Sequence, residues 1–213
     1  MSLRETLAAL YGNYDARQLA ERYAAAAKLI AEEERRRVRQ VGERIPSFEI
    51  DHPKEGRISS AELLSKGPLI VNFYRGLWCS YCQRDLLGVE EAFPDIRKVN
   101  ASVIALTRDL NQEVRTKLQE TTEISFPIID DTEGLIAEQF GLRWSVRDAD
   151  LIDTATGANL VTMRGTRPWI IPMQARYLIQ QDSVIAFANV AFDYDQRTEP
   201  AAMLPALARL GGS

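Results

Sequence analysis

The sequence predicts an α/β fold, a mostly parallel central sheet ending in a C-terminal hairpin, preceded by an N-terminal helical extension. Three observations predict it. From Pro46 onward, short apolar runs rich in β-branched residues alternate with helix-like stretches, the pattern of strands joined by helical crossovers. The last two runs are only four residues apart, too close for a crossover and right for a hairpin. The first 45 residues carry no proline and no strand-like alternation, but space their apolar side chains as a helix does. With 213 residues, 46% of them hydrophobic, the chain buries a sizeable core without a metal or disulfide. The division is therefore residues 1–45 as the extension and 46–213 as the main domain.

In the extension, Leu3, Leu7, Leu10 and Tyr14, then Leu19, Tyr23, Ala26 and Ile30, mark two helices split near Gly12 and Asn13. Asp15 is placed to cap the second. Its far end, EEERRRVR, reads as a solvated face because the glutamates cancel the arginines. The stripe of Leu19, Tyr23 and Ile30 is expected to pack on the main domain or on a second copy of the chain, a homodimer. The strands expected in the main domain are LIVNFY (69–74), ASVIALT (101–107), FPIID (126–130), ARYLI (175–179) and VIAFANV (184–190). Leu86, Val89, Phe93 and Ile96 mark a helix that Pro94 kinks or ends, and Val114 with Leu118 a second one. A short helix lies within 132–141, closed by Gly141. Trp144 to Trp169 has no clear period and reads as an irregular insertion with a small hairpin near Thr156 and Gly157. Thr198 and Pro200 read as cap and first turn of a helix to Leu210, bent by Pro205.

Composition narrows the function. A net charge of −4 provides no field that draws nucleic acid or anionic lipid. No apolar run approaches the roughly 18 residues of a membrane span, and Glu5 and Asp15 interrupt the N-terminus where a signal peptide would be apolar, so a cytoplasmic location is expected. One histidine, His52, and two cysteines cannot form a four-ligand zinc site, so no metal is expected, and His52 reads as a solvated loop residue.

The chemistry sits in RGLWCSYCQRDL, residues 75–86, directly after the strand LIVNFY. Cys79 and Cys82 open the helix that follows. Unsatisfied N–H groups and the macrodipole at a helix N-terminus favour thiolate over thiol, and Arg75 and Arg84 add positive potential. A thiolate there attacks a disulfide sulfur or a peroxide oxygen, and a second thiol at i+3 resolves the adduct. The plain alternative is that both cysteines are small core residues. Trp78 either shields the site or belongs to the core. Asp193, Tyr194, Arg197 and Glu199 form a polar cluster that serves either as an internal ion-pair lock or near the thiols.

The segment VNFYRGLWCSYCQRDL resembles the motif FYRGxWCPYCxxEL of peroxiredoxin-like proteins in the alkyl hydroperoxide reductase and thiol-specific antioxidant (AhpC/TSA) superfamily. The likeness runs from about residue 46 to 200, through VIALT, FPIIDD, IPMQARYLI and DYDQRTEP. It implies a thioredoxin-like fold and a thiol-dependent peroxidase that reduces hydroperoxides by cycling Cys79 and Cys82 between dithiol and disulfide. No cofactor is implied, and electrons would come from a thioredoxin- or glutaredoxin-type donor. The same site also suits a thiol-disulfide oxidoreductase acting on protein disulfides, or a redox sensor without turnover. Thioredoxins place their nucleophile at Cys79, whereas typical peroxiredoxins, with PxxxTxxC, place theirs at Cys82, with Arg75 at the proline and Cys79 at the threonine. The two patterns disagree, and the exposure and dipole expected at the helix start, with the peroxiredoxin threonine absent, favour Cys79 as nucleophile and Cys82 as resolving thiol. Gln174 stands where the family usually has a cis-proline beside the cysteines, and Pro172 lies two residues before it.

Overall fold

The computed structural model describes residues 37–53, 55–76, 79–107, 124–131, 133–146, 169–191 and 197–211. The extension before residue 37, the Val114–Leu118 helix and the hairpin near Thr156 lie outside the described residues, as do Trp78, Asp193 and Tyr194.

A five-stranded sheet forms the centre. Its strands are β3 (Leu69–Phe73), β4 (Ser102–Thr107), β5 (Ile128–Asp130), β8 (Gln174–Ile179) and β9 (Ile185–Ala191), in the order β5-β4-β3-β8-β9. β3, β4 and β5 are parallel, while β8 runs antiparallel to both β3 and β9. The expected hairpin is thus β8–β9, with a register shift at Leu178/Ile179. β3 is buried along its whole length, which explains its continuous apolar run: a central strand covered on both faces has no polar side to alternate with.

Side chains alternate between two cores. Ile70, Tyr74, Val103, Ala105 and Leu178 face a cluster built by α2 (Ser80–Glu91), α3 (Phe93–Lys98) and α5 (Leu204–Leu210). Leu69, Val71, Phe73, Ile104 and Tyr177 face the other, where Phe140 lies 5.0 Å from both the Phe73 and the Tyr177 ring. On that face α4 (Leu135–Gln139) starts from Gly134 as N-cap, and the carboxylate of Asp131, three residues earlier, accepts the N–H groups of Ile136 (3.2 Å) and Ala137 (2.8 Å) in its first turn. Residues 37–45 form a strap across the same core: Val38 and Ile45 are buried, and Gly42 N–H donates to the Ile185 carbonyl at 2.9 Å.

Several elements depart from the sequence reading. A hairpin of β1 (Glu49–His52) and β2 (Gly56–Ser59) and the short helix α1 (Ser60–Lys66), capped by Ser59, precede β3. His52 is not a solvated loop residue: it ends β1, is buried, and its Nδ1 accepts the Glu55 N–H at 3.1 Å. Trp144 and Trp169 belong to an antiparallel pair, β6 (Arg143–Val146) and β7 (Trp169–Pro172), so the ends of that stretch are regular. Pro94 falls at the start of α3, where its missing N–H is harmless, and α2 stops before it. The last helix is split into a 3-10 turn, Pro200–Met203, and α5. Its cap falls at Glu199 rather than Thr198, whose N–H instead donates to Asn189 at 3.2 Å.

Candidate active site

β3 delivers the chain to the end of the sheet, and a turn through Arg75 and Gly76, the latter at φ 150°, leads into α2. Cys79 is the N-cap of that helix, in an extended conformation. Its N–H donates to the Gly76 carbonyl at 3.2 Å, and its carbonyl accepts from the N–H groups of Cys82 (2.9 Å) and Gln83 (3.1 Å). Cys82 is the third helical residue, one turn on. Both are reduced, and neither exposes any surface, so Cys79 is not the more exposed thiol that its place at the helix start predicts.

Two cations stand beside the sulfurs. Arg75 and Arg197 are 7% and 8% exposed, so both charges are largely withdrawn from water. Arg197 arrives from a segment 115 residues away and donates from Nη2 to Cys82 Sγ at 3.8 Å, with its guanidinium 5.7 Å from the Tyr81 ring centre.

The two thiols are driven apart. Burial, the largest influence on Cys79, opposes its anion, but the S–H of Cys82, the charges of Arg197 and Arg75 and the Cys82 N–H together outweigh it. The result is a pKa lowered from 9.0 to about 6. Cys82 is pushed well above its ordinary range by burial, by donating its proton to Cys79 and by the negative charge there, which Arg197 and Arg75 only partly offset. One sulfur is thus an anion at neutral pH, and the other is its proton-bearing neighbour.

Under the helix lies a buried ion pair. Arg176 of β8 donates from Nη2 to Asp85 of α2, which also accepts from Asn72 of β3 at 3.4 Å. The three side chains tie the first turns of α2 to the two central strands.

Of the residues marked by the sequence, Cys79, Cys82 and Arg75 come together. Arg84 points elsewhere, pairing with Glu91 at 3.2 Å. Gln174 opens β8, buried, its Oε1 without a hydrogen-bond partner among the described residues. Arg197, visible in the sequence only as one member of a polar cluster, turns out to reach the thiols. The Asp85–Arg176 pair was missed, although charged residues in the otherwise apolar run QARYLI and in the helix behind the cysteines were its signal.

Likeness to known proteins follows the same frame. Over 103 residues, 48% of this chain, the sequence is 23% identical to the thiol-disulfide oxidoreductase ResA of Bacillus thuringiensis, of whose length the match spans 58%. Over 104 residues, 49% of this chain, it is 23% identical to a putative peroxiredoxin of Mycobacterium tuberculosis, of which the match spans 67%. The fold matches the crystal structure of peroxidoxin BcpB from M. tuberculosis with a TM-score of 0.61 at 20% identity, covering 81% of this chain and 97% of that one. It also matches peroxiredoxin 6 of Arenicola marina with a TM-score of 0.62 at 16% identity, covering 80% and 72%. The fold is therefore thioredoxin-like. The profile of the AhpC/TSA family takes in residues 41–188, from the strap through the thiol helix and the central sheet to β9, and the chain belongs to that family of thiol oxidoreductases.

Proposed function

We propose that the protein is a thiol-dependent peroxidase that reduces hydroperoxides, with Cys79 attacking and Cys82 resolving. The observation that carries this reading is the unequal pair: Cys79 is favoured as thiolate at neutral pH while Cys82 keeps its proton. The Cys79 thiolate attacks one oxygen of the peroxide, the O–O bond breaks, and the alkoxide leaves with a proton as alcohol. Cys79 becomes a sulfenic acid. Cys82 then attacks that sulfur as it loses its proton, forming the disulfide and releasing water. A thioredoxin- or glutaredoxin-type dithiol returns two electrons.

Full burial of both sulfurs favours a small substrate, since a hydroperoxide needs access to one atom whereas a protein disulfide needs an exposed sulfur and a docking face. The second reading, reduction of protein disulfides, is supported by the CxxC spacing and by the relatives named ResA. Peroxide consumption with a dithiol donor, set beside insulin reduction, separates the two. Sulfenic-acid trapping settles the order: Cys82→Ser is expected to form a trappable sulfenic acid with peroxide and Cys79→Ser not to. The reverse would assign the attack to Cys82.

A further inference from the structure

The segment after β9 does more than close the fold. Arg197 is its first described residue and touches Cys82 Sγ, and three residues on, Pro200 begins the 3-10 turn that leads into α5. Pro200 sits directly on Gly88 of α2. A Cβ at Gly88 would lie 2.8 Å from Pro200 Cγ and 3.3 Å from Cδ, closer than the rigid ring allows. Met203 and Leu207 continue the contact, both buried in the core that holds the cysteines. Thr198 is fixed between them by its N–H to Asn189 of β9. The helix that bears the thiols thus also bears, two turns later, the seat for the segment that carries their cation.

We propose that Arg197 is a catalytic residue of the disulfide-forming step, stabilising the sulfur of Cys82 as it loses its proton, and that Gly88 is a positioning residue whose missing side chain lets Pro200 seat Arg197. The inference rests on the thiol-redox reading of the site. Its physical basis is a contact: the guanidinium whose charge also favours the Cys79 anion donates directly to the sulfur of Cys82, the thiol that begins protonated. When Cys82 attacks Cys79, its S–H bond breaks, an S–S bond forms, and water leaves from a sulfenic acid. Between loss of the proton and closure of the bond, negative charge sits on Cys82 Sγ inside a dry core, where an N–H held at 3.8 Å is worth far more than in water. In the reverse direction, a donor thiolate attacking Cys79 expels Cys82 as a thiolate at the same position, and the same N–H receives it. The other cation, Arg75, comes from the turn before α2, and the nearest acid on α2, Asp85, is held by Arg176, so Arg197 is the group that the C-terminal segment alone controls.

The test uses the full chain, reduced, and follows disulfide closure by acid-quenched mass after oxidation with hydrogen peroxide and, in parallel, with diamide. Diamide takes the same two electrons through a thiolate adduct that the second thiol displaces, so it reads closure even if peroxide is not a substrate. Arg197→Gln is expected to slow closure about tenfold or more with either oxidant, and Gly88→Ala about threefold or more, with both raising the pH midpoint of Cys79 alkylation. Arg197→Lys is expected to recover part of the loss. Gly88→Ala has the better helix former at a helical position, so it keeps the experiment decisive if Arg197→Gln does not fold. Closure within twofold of the parent rate in a folded Arg197→Gln, or in Gly88→Ala, would overturn the proposal. A parent chain that closes with diamide but never with peroxide would sink the peroxidase reading and leave this one standing.

Discussion

At the scale of single residues, the site works by making two identical side chains unlike each other. They share a helix turn, the same burial and the same two arginines. What separates them is one proton, which Cys82 holds toward Cys79. Because the thiolate is the nucleophile, alkylation of Cys79 is expected to rise through a midpoint near pH 6, with Cys82 silent up to pH 8. Peptide mapping after iodoacetamide pulses at successive pH values measures it, and a single midpoint near 9 for both would remove the activation argument. The Asp85–Arg176 pair makes a second demand on single residues. Both side chains are at most 3% exposed, so deleting either charge leaves the other stranded in a dry interior. Arg176→Met is expected to cost about 3–5 kcal/mol by urea denaturation. Asp85→Asn together with Arg176→Met is expected to cost less than the two single changes summed, because no charge is then left unpaired.

At the scale of elements, what sequence reveals depends on burial. β3 and β8 were legible because every residue in them is buried, and β8–β9 because the short gap between the β8 run and the apolar, half-buried β9 run admits only a hairpin. β1 and β2 were not, since EIDH and GRIS lie largely exposed and carry no apolar stripe, and the seven residues of α1 are too few to show a helical period. The thiols and Arg75 were legible because a strand, a turn and a helix start are contiguous in sequence. Arg197 was legible only as one member of a polar cluster for which a place near the thiols was one of two readings, because its contact with Cys82 is a product of how the last segment packs on α2. The strap at residues 37–45 shows the same dependence. Gly141, after α4, adopts φ +71°, and a Cβ there would lie 2.1 Å from the Arg37 carbonyl oxygen. Gly141→Ala therefore meets both a backbone penalty and a collision with the strap. A loss of at least about 1 kcal/mol in a thermal or urea melt is expected, with faster hydrogen exchange at the Arg39 and Gly42 amides, which bond to Phe140 and Ile185.

At the scale of the whole molecule, the redox state and the folding free energy are linked. In the reduced protein, Arg75 and Arg197 favour the Cys79 thiolate, whereas in the disulfide there is no anion at that position and this attraction is lost. The sign of the pH effect follows from Cys79. Its folded pKa, about 6, lies below its ordinary 9.0, so its contribution to the reduced fold is complete above pH 9 and disappears as pH falls through 6. At pH 7 that is roughly 1–2 kcal/mol in favour of the reduced fold, and near zero at pH 5. Cys82 stays protonated throughout this window and adds nothing to it. A disulfide closing so short a loop restricts the unfolded chain only modestly, by roughly 2 kcal/mol, which works in the opposite direction. The two opposing contributions leave a difference that changes with pH. Urea melts of the reduced and the oxidised chain are expected to show the reduced form gaining on the oxidised one between pH 5 and pH 7. By the thermodynamic cycle, the disulfide of the folded protein becomes easier to reduce over the same interval, relative to that of the unfolded chain, as suits a bond that must be remade in every turnover. A stability difference that does not move with pH would mean that Cys79 is not held as a thiolate by the folded protein.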